Sequence, residues 1–130
     1  MGKDGNGAPK VLLVEDEALV AMVADENLRI MGFDPIVAST AGEALDAFAQ
    51  GGPLSLAIID VGLPDMRGDV LARRLRDTAP SLPILLASGY DSAELRSAFA
   101  NDSFVRVLAK PYSERQLRDV LTELRLTIDG

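Results

Sequence analysis

The sequence contains neither cysteine nor histidine. Without cysteine the chain has no disulfide, no iron–sulfur cluster and no thiol nucleophile. Without histidine it has no histidine-based catalytic triad, and most of the usual zinc sites are excluded as well. Any chemistry must therefore depend on carboxylates, hydroxyl groups, lysine, arginine or the backbone.

Basic residues are also scarce. The chain has 13 lysines and arginines against 20 aspartates and glutamates, which gives a formal net charge of −7. Because binding to a phosphate backbone needs a basic surface, this balance argues against nucleic acid as a direct partner. It favours a cytoplasmic protein or a site that holds a cation, and the lack of cysteine agrees with a cytoplasmic location.

Long hydrophobic runs are missing too. Apolar runs such as those at residues 11–14 and 56–59 have the length of strands, whereas a helix that spans a membrane needs about 20 apolar residues. The first ten residues, MGKDGNGAPK, lack the apolar middle region of a signal peptide. The sequence therefore predicts a protein without a membrane span.

The chain has 130 residues, the size of one domain. We expect residues 1–9, which are rich in glycine, to form a disordered lead-in and residues 10–128 to form a single domain. Apolar runs of strand length alternate with stretches of helical periodicity, at residues 11–14, 35–38, 56–59, 84–87 and 105–108. This alternation predicts an α/β fold in which helices cover both faces of a parallel sheet.

Local signals mark the ends of several helices. Thr40 with Glu43, and Ser113 with Gln116, have the spacing of a capping box at a helix start. A first helix over about residues 17–31 is expected to end at Gly32. Its predicted core stripe comprises Val20, Val23, Ala24, Leu28 and Met31, and that of the last helix comprises Leu117, Val120, Leu121, Leu124 and Ile128.

Polar residues follow four of the five predicted strands. Glu15 and Asp16 follow the first, Asp60 the third, Ser88 the fourth and Lys110 the fifth. In an open parallel sheet the carboxyl ends of the strands meet at one edge, where functional groups gather. The sequence therefore predicts three carboxylates, one hydroxyl and one ammonium group at the same edge.

This cluster has an electrostatic cost. Two carboxylates at about 4 Å repel by roughly 4 kcal/mol at an effective dielectric constant of about 20. Lys110 supplies one positive charge, and a hard divalent cation such as Mg²⁺ would supply two more. Gly62 permits a close turn from which its backbone carbonyl could also face the metal. A carboxylate such as that of Asp60 can attack phosphorus and form an acyl phosphate, whose charge the metal and Lys110 would neutralise.

Four stretches of the sequence carry a resemblance to a known family. They are VLLVEDE, LAIIDVGLPDMRG, PILLASGY and VLAKPY, in that order and at suitable spacing. With them the chain, from about residue 10 to residue 128, resembles the response-regulator receiver domains of two-component signalling. The resemblance implies a flavodoxin-like, doubly wound α/β fold with five helices and a five-stranded parallel sheet in the order 2-1-3-4-5.

The same resemblance implies roles for the clustered residues. Glu15 and Asp16 match the acidic pair that binds Mg²⁺ in the family, and Asp60 matches the aspartate that is phosphorylated. Ser88 matches the hydroxyl residue that hydrogen-bonds the phosphoryl group. Lys110 matches the lysine that pairs with it, and Pro111 matches the proline that follows, after a cis peptide bond. The family implies a phosphoacceptor rather than an enzyme, with slow self-dephosphorylation.

The resemblance also implies partners. The phosphoryl group would come from phosphohistidine on a histidine kinase or a histidine phosphotransfer protein. Leu19 and Met22, with Pro111 and Tyr112, are candidates for docking that partner. Such a domain stands alone as a response regulator or forms part of a hybrid kinase, and we expect a monomer or a weak dimer without direct contact to nucleic acid.

One position departs from the family pattern. Receivers often have tyrosine or phenylalanine three places before the lysine, and this side chain turns inward on activation. Val107 occupies that place here, which is typical of a subset of receivers that lack the aromatic residue. Tyr90, two places after Ser88, is a candidate for partial compensation or for gating access to Asp60.

Other interpretations of these residues remain open at this point. A Mg²⁺-dependent phosphohydrolase with an aspartyl nucleophile would use similar groups, although it wants a second acid where Gly62 stands. A receiver-like scaffold that is not phosphorylated is a third possibility. Individually, the candidate residues have ordinary alternatives as helix caps, turn residues, packing residues or isolated surface residues: Glu15, Asp16, Asp60, Ser88, Lys110, Tyr90, Leu19 and Met22.

Overall fold

The fold alternates five strands with five helices along the chain. The computed structural model describes residues 7–89 and 93–124. The elements in chain order are β1 Lys10–Val14, α1 Ala18–Ile30, β2 Asp34–Ala38, α2 Ala41–Gln50, β3 Leu56–Asp60, α3 Gly68–Thr78, β4 Ile84–Ser88, α4 Ala93–Ala98, β5 Val105–Ala109 and α5 Glu114–Glu123.

All neighbouring strands pair in parallel, in the order β2-β1-β3-β4-β5. This is the predicted doubly wound, flavodoxin-like arrangement. The predicted strands differ from those observed by one residue at an end. Each apolar run ends within one residue of the end of its strand, so the boundaries could be found from the sequence.

The core lies on both faces of this sheet, as alternation along each strand requires. Leu12 and Ile59 point to the face that α2, α3 and α4 cover, where they join residues such as Leu71. Leu13 and Ile58 point to the opposite face, which α1 and α5 cover. Because both faces are buried, β3 and β4 consist of buried residues throughout.

The predicted helix caps have mostly the expected geometry. Ser113 and Gln116 form the full capping box at the start of α5. Thr40 caps α2 by accepting a hydrogen bond from the Glu43 N–H. The Glu43 carboxylate, however, accepts from the N–H and hydroxyl of the preceding Ser39, so the box is closed one residue earlier.

Gly32 ends α1 as predicted. Its φ of 99° lies in the left-handed region that favours glycine. Its N–H donates to the Arg29 carbonyl and the Phe33 N–H donates to the Leu28 carbonyl, which is the Schellman arrangement.

The predicted core stripe of α1 was wrong at Val23, whose surface is 59% exposed. The buried residues of this helix are Ala21, Ala24 and Leu28. Their spacing of three and four residues follows one face of a helix, and Val23 lies about 100° away from Ala24 around the helix axis. The sequence interpretation assigned the larger Val23 to the buried face of the helix and missed the smaller Ala21, which lies there.

Two parts of the predicted organisation lie outside the described residues. These are residues 1–6 of the expected lead-in and the end of the last helix stripe at Ile128. Within residues 7–89 and 93–124, no helix combines the length and the apolar character that crossing a membrane requires.

Candidate functional site

The strand ends position the candidate site residues. In the parallel register Val14 lies beside Ile59, and Asp60 lies beside Ala87. The chain segments that leave β1, β3, β4 and β5 therefore emerge side by side at one edge. Glu15, Asp60 and Ser88 are the buried polar residues among those described. The structure thus brings together the groups that the sequence placed at this edge.

Lys110 is the cationic centre of the cluster. Its Nζ donates a hydrogen bond to Glu15 Oε1 at 3.1 Å and lies 3.4 Å from Asp60 Oδ1. A third carboxylate, that of Glu17, lies 3.6 Å away. The sequence interpretation missed Glu17, although its position directly after Glu15 and Asp16 was a signal. One ammonium group therefore faces several carboxylates, and the local charge stays negative.

Three carboxylates are arranged so that a metal ion could bind them together. Glu15, Asp16 and Asp60 each offer an oxygen, and these oxygens lie within 4.8 Å of one another. Two of the residues are buried and Asp16 is exposed, which leaves one side of the group open to solvent. An all-oxygen donor set suits a hard cation such as Mg²⁺, which keeps several waters. The residues present therefore fit the predicted metal.

The pKa of Glu15 indicates that the positive charge of Lys110 does not fully compensate the buried carboxylates. Burial raises the pKa of its carboxyl group, against hydrogen bonds from the Glu17 N–H and from Lys110. Burial acts to lower the pKa of Lys110, but its hydrogen bond to Glu15 and the charges of Glu15 and Asp60 outweigh this, so that its pKa is raised. Additional positive charge near Glu15 and Asp60 would thus be stabilising.

A solvent-open cavity of about 560 Å³ lies over the phosphoacceptor candidate. Asp60, Ser88 and Lys110 line it together with Asp16 and Gly62. The Lys110 N–H donates to the Ser88 carbonyl at 2.8 Å, which links the ends of β4 and β5. A small phosphorylated molecule, or the side chain of a partner protein, can therefore reach all three candidate phosphoryl residues from one opening.

The loop after β3 holds Asp60 in place. The Gly62 N–H donates to Asp60 Oδ1 at 3.1 Å, whereas the role of the Gly62 carbonyl as a metal ligand stays a prediction. Further along this loop, the Asp65 carboxylate accepts the N–H groups of Ala41 and Gly42, each at 2.9 Å. These bonds, the Ala41 one foremost, lower the pKa of Asp65. Asp65 therefore ties the loop to the start of α2, a contact that sequence reasoning missed.

The structure places the docking candidates on one side of the site. Leu19, Pro111 and Tyr112 line a cleft of about 500 Å³ between α1 and the segment that follows β5. Leu19 is 76% exposed. Met22, also on α1, is 64% exposed but does not line the cleft. Burial raises the pKa of the Tyr112 hydroxyl, and the charge of Glu15 adds to this. The Lys110–Pro111 peptide bond is cis, as predicted.

The structure describes Val107, one of the two residues considered for the activation switch, but not Tyr90, the other. Val107 is half-buried and packs against the core, and its carbonyl accepts a hydrogen bond from Arg96 Nη2 at 3.2 Å. Tyr90, the candidate for compensation or gating, lies outside the described residues, so its role stays a prediction.

Comparison with protein-family models gives a match over most of the chain. The model of the response regulator receiver domain matches residues 11–122. Among curated proteins, the sensor kinase CckA of Brucella abortus is 34% identical over 122 residues, or 93% of this chain and 13% of that protein. The response regulator protein FleR of Pseudomonas aeruginosa is 32% identical over 114 residues, or 88% of this chain and 24% of that protein. The chain thus spans a small part of these relatives.

Solved structures give the same result. A sensor protein from Polaromonas sp. is 30% identical, with a TM-score of 0.76, and the match covers 93% of this chain and 96% of that one. The chemotaxis protein CheY4 of Vibrio cholerae is 25% identical, with a TM-score of 0.82, over 91% of this chain and 99% of that one. Both similarities extend over nearly the whole domain.

Proposed function

The chain belongs to the response regulator receiver domain family, a signalling module of two-component systems, and we propose that it accepts a phosphoryl group on Asp60. The observation that carries this proposal is the surroundings of Asp60. Its carboxylate lies within 3.4 Å of the Lys110 ammonium and within 4.8 Å of carboxylate oxygens of Glu15 and Asp16, in a cavity open to solvent.

Mg²⁺ is the cofactor that this site would bind. Glu15, Asp16 and Asp60 would hold it, together with the Gly62 carbonyl. When bound, the ion neutralises charge on the oxygens of the transferring phosphoryl group.

The proposed transfer uses an oxygen of Asp60 as nucleophile. This oxygen forms a bond to phosphorus while the bond from phosphorus to the imidazole nitrogen of a phosphohistidine breaks, and the nitrogen keeps the electron pair. Lys110 pairs with the phosphoryl oxygens, and Ser88 hydrogen-bonds one of them. Since phosphorylation adds a charge of about −2, we expect Lys110 to exchange part of its contact with Glu15 for contact with the phosphoryl group.

The donor in this proposal is a histidine kinase or a histidine phosphotransfer protein. It would dock on the exposed apolar side chains of α1 and the segment after β5, which include Leu19, Met22, Pro111 and Tyr112. Water that reaches the acyl phosphate through the open cavity would release phosphate slowly. A cytoplasmic location and a monomeric or weakly dimeric state complete the proposal.

The alternatives receive less support from the site. An aspartyl phosphohydrolase needs an acid that protonates the leaving group, and Gly62, at the place where that acid would stand, contributes only its backbone N–H to Asp60. A scaffold that is never phosphorylated would have no use for the cavity in which Asp60, Ser88 and Lys110 meet. The relatives of this chain include both a sensor kinase and a response regulator, and a phosphoacceptor domain suits either kind of protein.

The test is covalent labelling of Asp60. The protein is incubated with Mg²⁺ and acetyl phosphate and measured by intact mass, beside the variants Asp60→Asn and Asp46→Asn. Asp46 is an exposed acid of α2 and serves as the matched control. We expect one phosphoryl group per chain in the wild type and in Asp46→Asn, and none in Asp60→Asn.

Other outcomes would contradict the proposal. An equal adduct in Asp60→Asn would place the phosphoryl group elsewhere. Rapid turnover of many phosphate esters without a stable adduct would favour the hydrolase, and the lack of both adduct and Mg²⁺ binding would favour the scaffold.

A further inference from the structure

Arg67 is a cation at the cavity that the proposed function does not use. It precedes α3, and its side chain makes no capping hydrogen bond. Its carbonyl accepts from the N–H groups of Val70 and Leu71, so its backbone is fixed as the first turn of the helix forms. Together with Asp60 and Lys110, it lines the cavity over the phosphoacceptor.

The backbone of Arg67 is also held close to Asp60. The next residue, Gly68, donates its N–H to the Val61 carbonyl at 2.9 Å. A Cβ atom at Gly68 would lie 2.3 Å from the Asp60 carbonyl oxygen, so the start of α3 packs directly on the backbone of the phosphoacceptor. The point from which the Arg67 side chain extends therefore has a fixed distance to Asp60.

The charges around the cavity give Arg67 a specific place. Among the described residues that line it, Asp16, Glu17 and Asp60 are acidic, and Lys110 and Arg67 are basic. Lys110 is already engaged by three carboxylates. An anionic phosphoryl donor that approaches this opening meets repulsion, and Arg67 is the basic group that lies on the solvent side.

The side chain of Arg67 is suited to meeting such a donor. It is 66% exposed, and its Nε donates to Asp69 Oδ1 at 3.0 Å. That contact uses one of the five N–H donors of a guanidinium group, whose planar geometry matches phosphate oxygens. The exposed ion pair with Asp69 is weak enough to be exchanged for a phosphoryl group.

We propose that Arg67 contacts the anionic phosphoryl group of the incoming donor and positions it for attack by Asp60. This inference rests on the proposed function. With acetyl phosphate, an Asp60 oxygen bonds to phosphorus, the bond from phosphorus to the acetyl oxygen breaks, and acetate leaves with the electron pair. Arg67 holds the phosphoryl oxygens during approach and exchanges no proton.

The test compares phosphorylation rates of charge variants. Arg67→Gln, Arg67→Lys and the wild type react with subsaturating acetyl phosphate and excess Mg²⁺, and Arg74→Gln, at an exposed arginine of α3, is the matched control. We expect Arg67→Gln to react about fivefold more slowly at low ionic strength, as befits the loss of an exposed charge pair. Arg67→Lys keeps most of the rate, and Arg74→Gln keeps all of it.

Salt dependence separates a charge contact from a structural effect. Near 1 M salt the screening length is about 3 Å, so the rates of Arg67→Gln and the wild type should converge. Equal rates for Arg67→Gln and Arg74→Gln at low salt would overturn the inference, and so would a slow Arg67→Gln that neither lysine nor salt brings back to the wild-type rate. A wild type that forms no Asp60 adduct would instead overturn the proposed function.

Discussion

The close contact between Gly68 and Asp60 predicts a strong effect of a single methyl group. In Gly68→Ala the new Cβ would lie 2.3 Å from the Asp60 carbonyl oxygen and 2.8 Å from the Val61 Cα. Both are backbone atoms, so the start of α3 must move by about 1 Å to reach a normal contact distance. Overpacking of this kind costs about 3 kcal/mol at the upper end, and the helix preference of alanine returns less than about 1 kcal/mol.

The expected loss in the free energy of unfolding is therefore about 2–3 kcal/mol, or roughly 7–11 °C in Tm for a chain of this size. Because the start of α3 packs directly on the backbone of Asp60, its displacement should also slow phosphorylation by acetyl phosphate. The matched control is Gly42→Ala in the first turn of α2, where a Cβ would meet Asp65 Oδ2 at an ordinary 3.6 Å. That variant should be as stable as the wild type or slightly more stable.

Urea and thermal unfolding followed by circular dichroism measure both variants. A Gly68→Ala protein within about 0.5 kcal/mol of the wild type, the range of an ordinary surface substitution, would refute the packing argument. An equal loss in the free energy of unfolding for Gly68→Ala and Gly42→Ala would show that alanine is disfavoured in the first turn of either helix. The contact of Gly68 with Asp60 would then not be the cause.

Three further predictions concern charged residues. Asp65→Asn should lower the free energy of unfolding at pH 7. Since hydrogen bonds from α2 lower the pKa of Asp65 in the folded state, this difference is complete above about pH 4 and should close as urea titrations go to lower pH. Asp60→Asn should raise the free energy of unfolding by about 1 kcal/mol without Mg²⁺, because it removes one of the clustered like charges; a lower Tm in this variant would contradict the repulsion argument. Arg76→Ala should cost about 2 kcal/mol in urea titrations, because Arg76 pairs with Asp102 and donates to two loop carbonyls. Arg76→Lys should not restore this stability, since an ammonium group lacks the planar set of N–H donors of a guanidinium group.

Much of the fold could be predicted because its signals are local. The apolar runs gave the strands to within one residue, since a strand buried on both faces has little choice of composition. Gly32 marked the end of α1, because a left-handed residue is needed there. Val23 was assigned to the core in error, because hydrophobicity alone cannot say which face of a helix with several apolar residues meets the sheet.

The candidate site divides in the same way. Glu15, Asp60 and Lys110 could be named in advance, because parallel strands bring their carboxyl ends to one edge whatever the details of packing. Asp65 and Arg67 could not, because their positions depend on the paths of loops and on side-chain directions. Glu17 was missed although it directly follows Glu15 and Asp16.

The sequence by itself determined the strands, their parallel sheet and the inventory of charges at its edge, because periodicity and strand ends are properties of short segments. The tertiary structure alone decided how those charges meet. Lys110 contacts Glu15 across 95 positions of the chain, and Asp65 reaches α2 across 24. Contacts over such separations depend on the sheet register and on close packing such as that of Gly68 on Asp60, which arise only when all the elements are assembled.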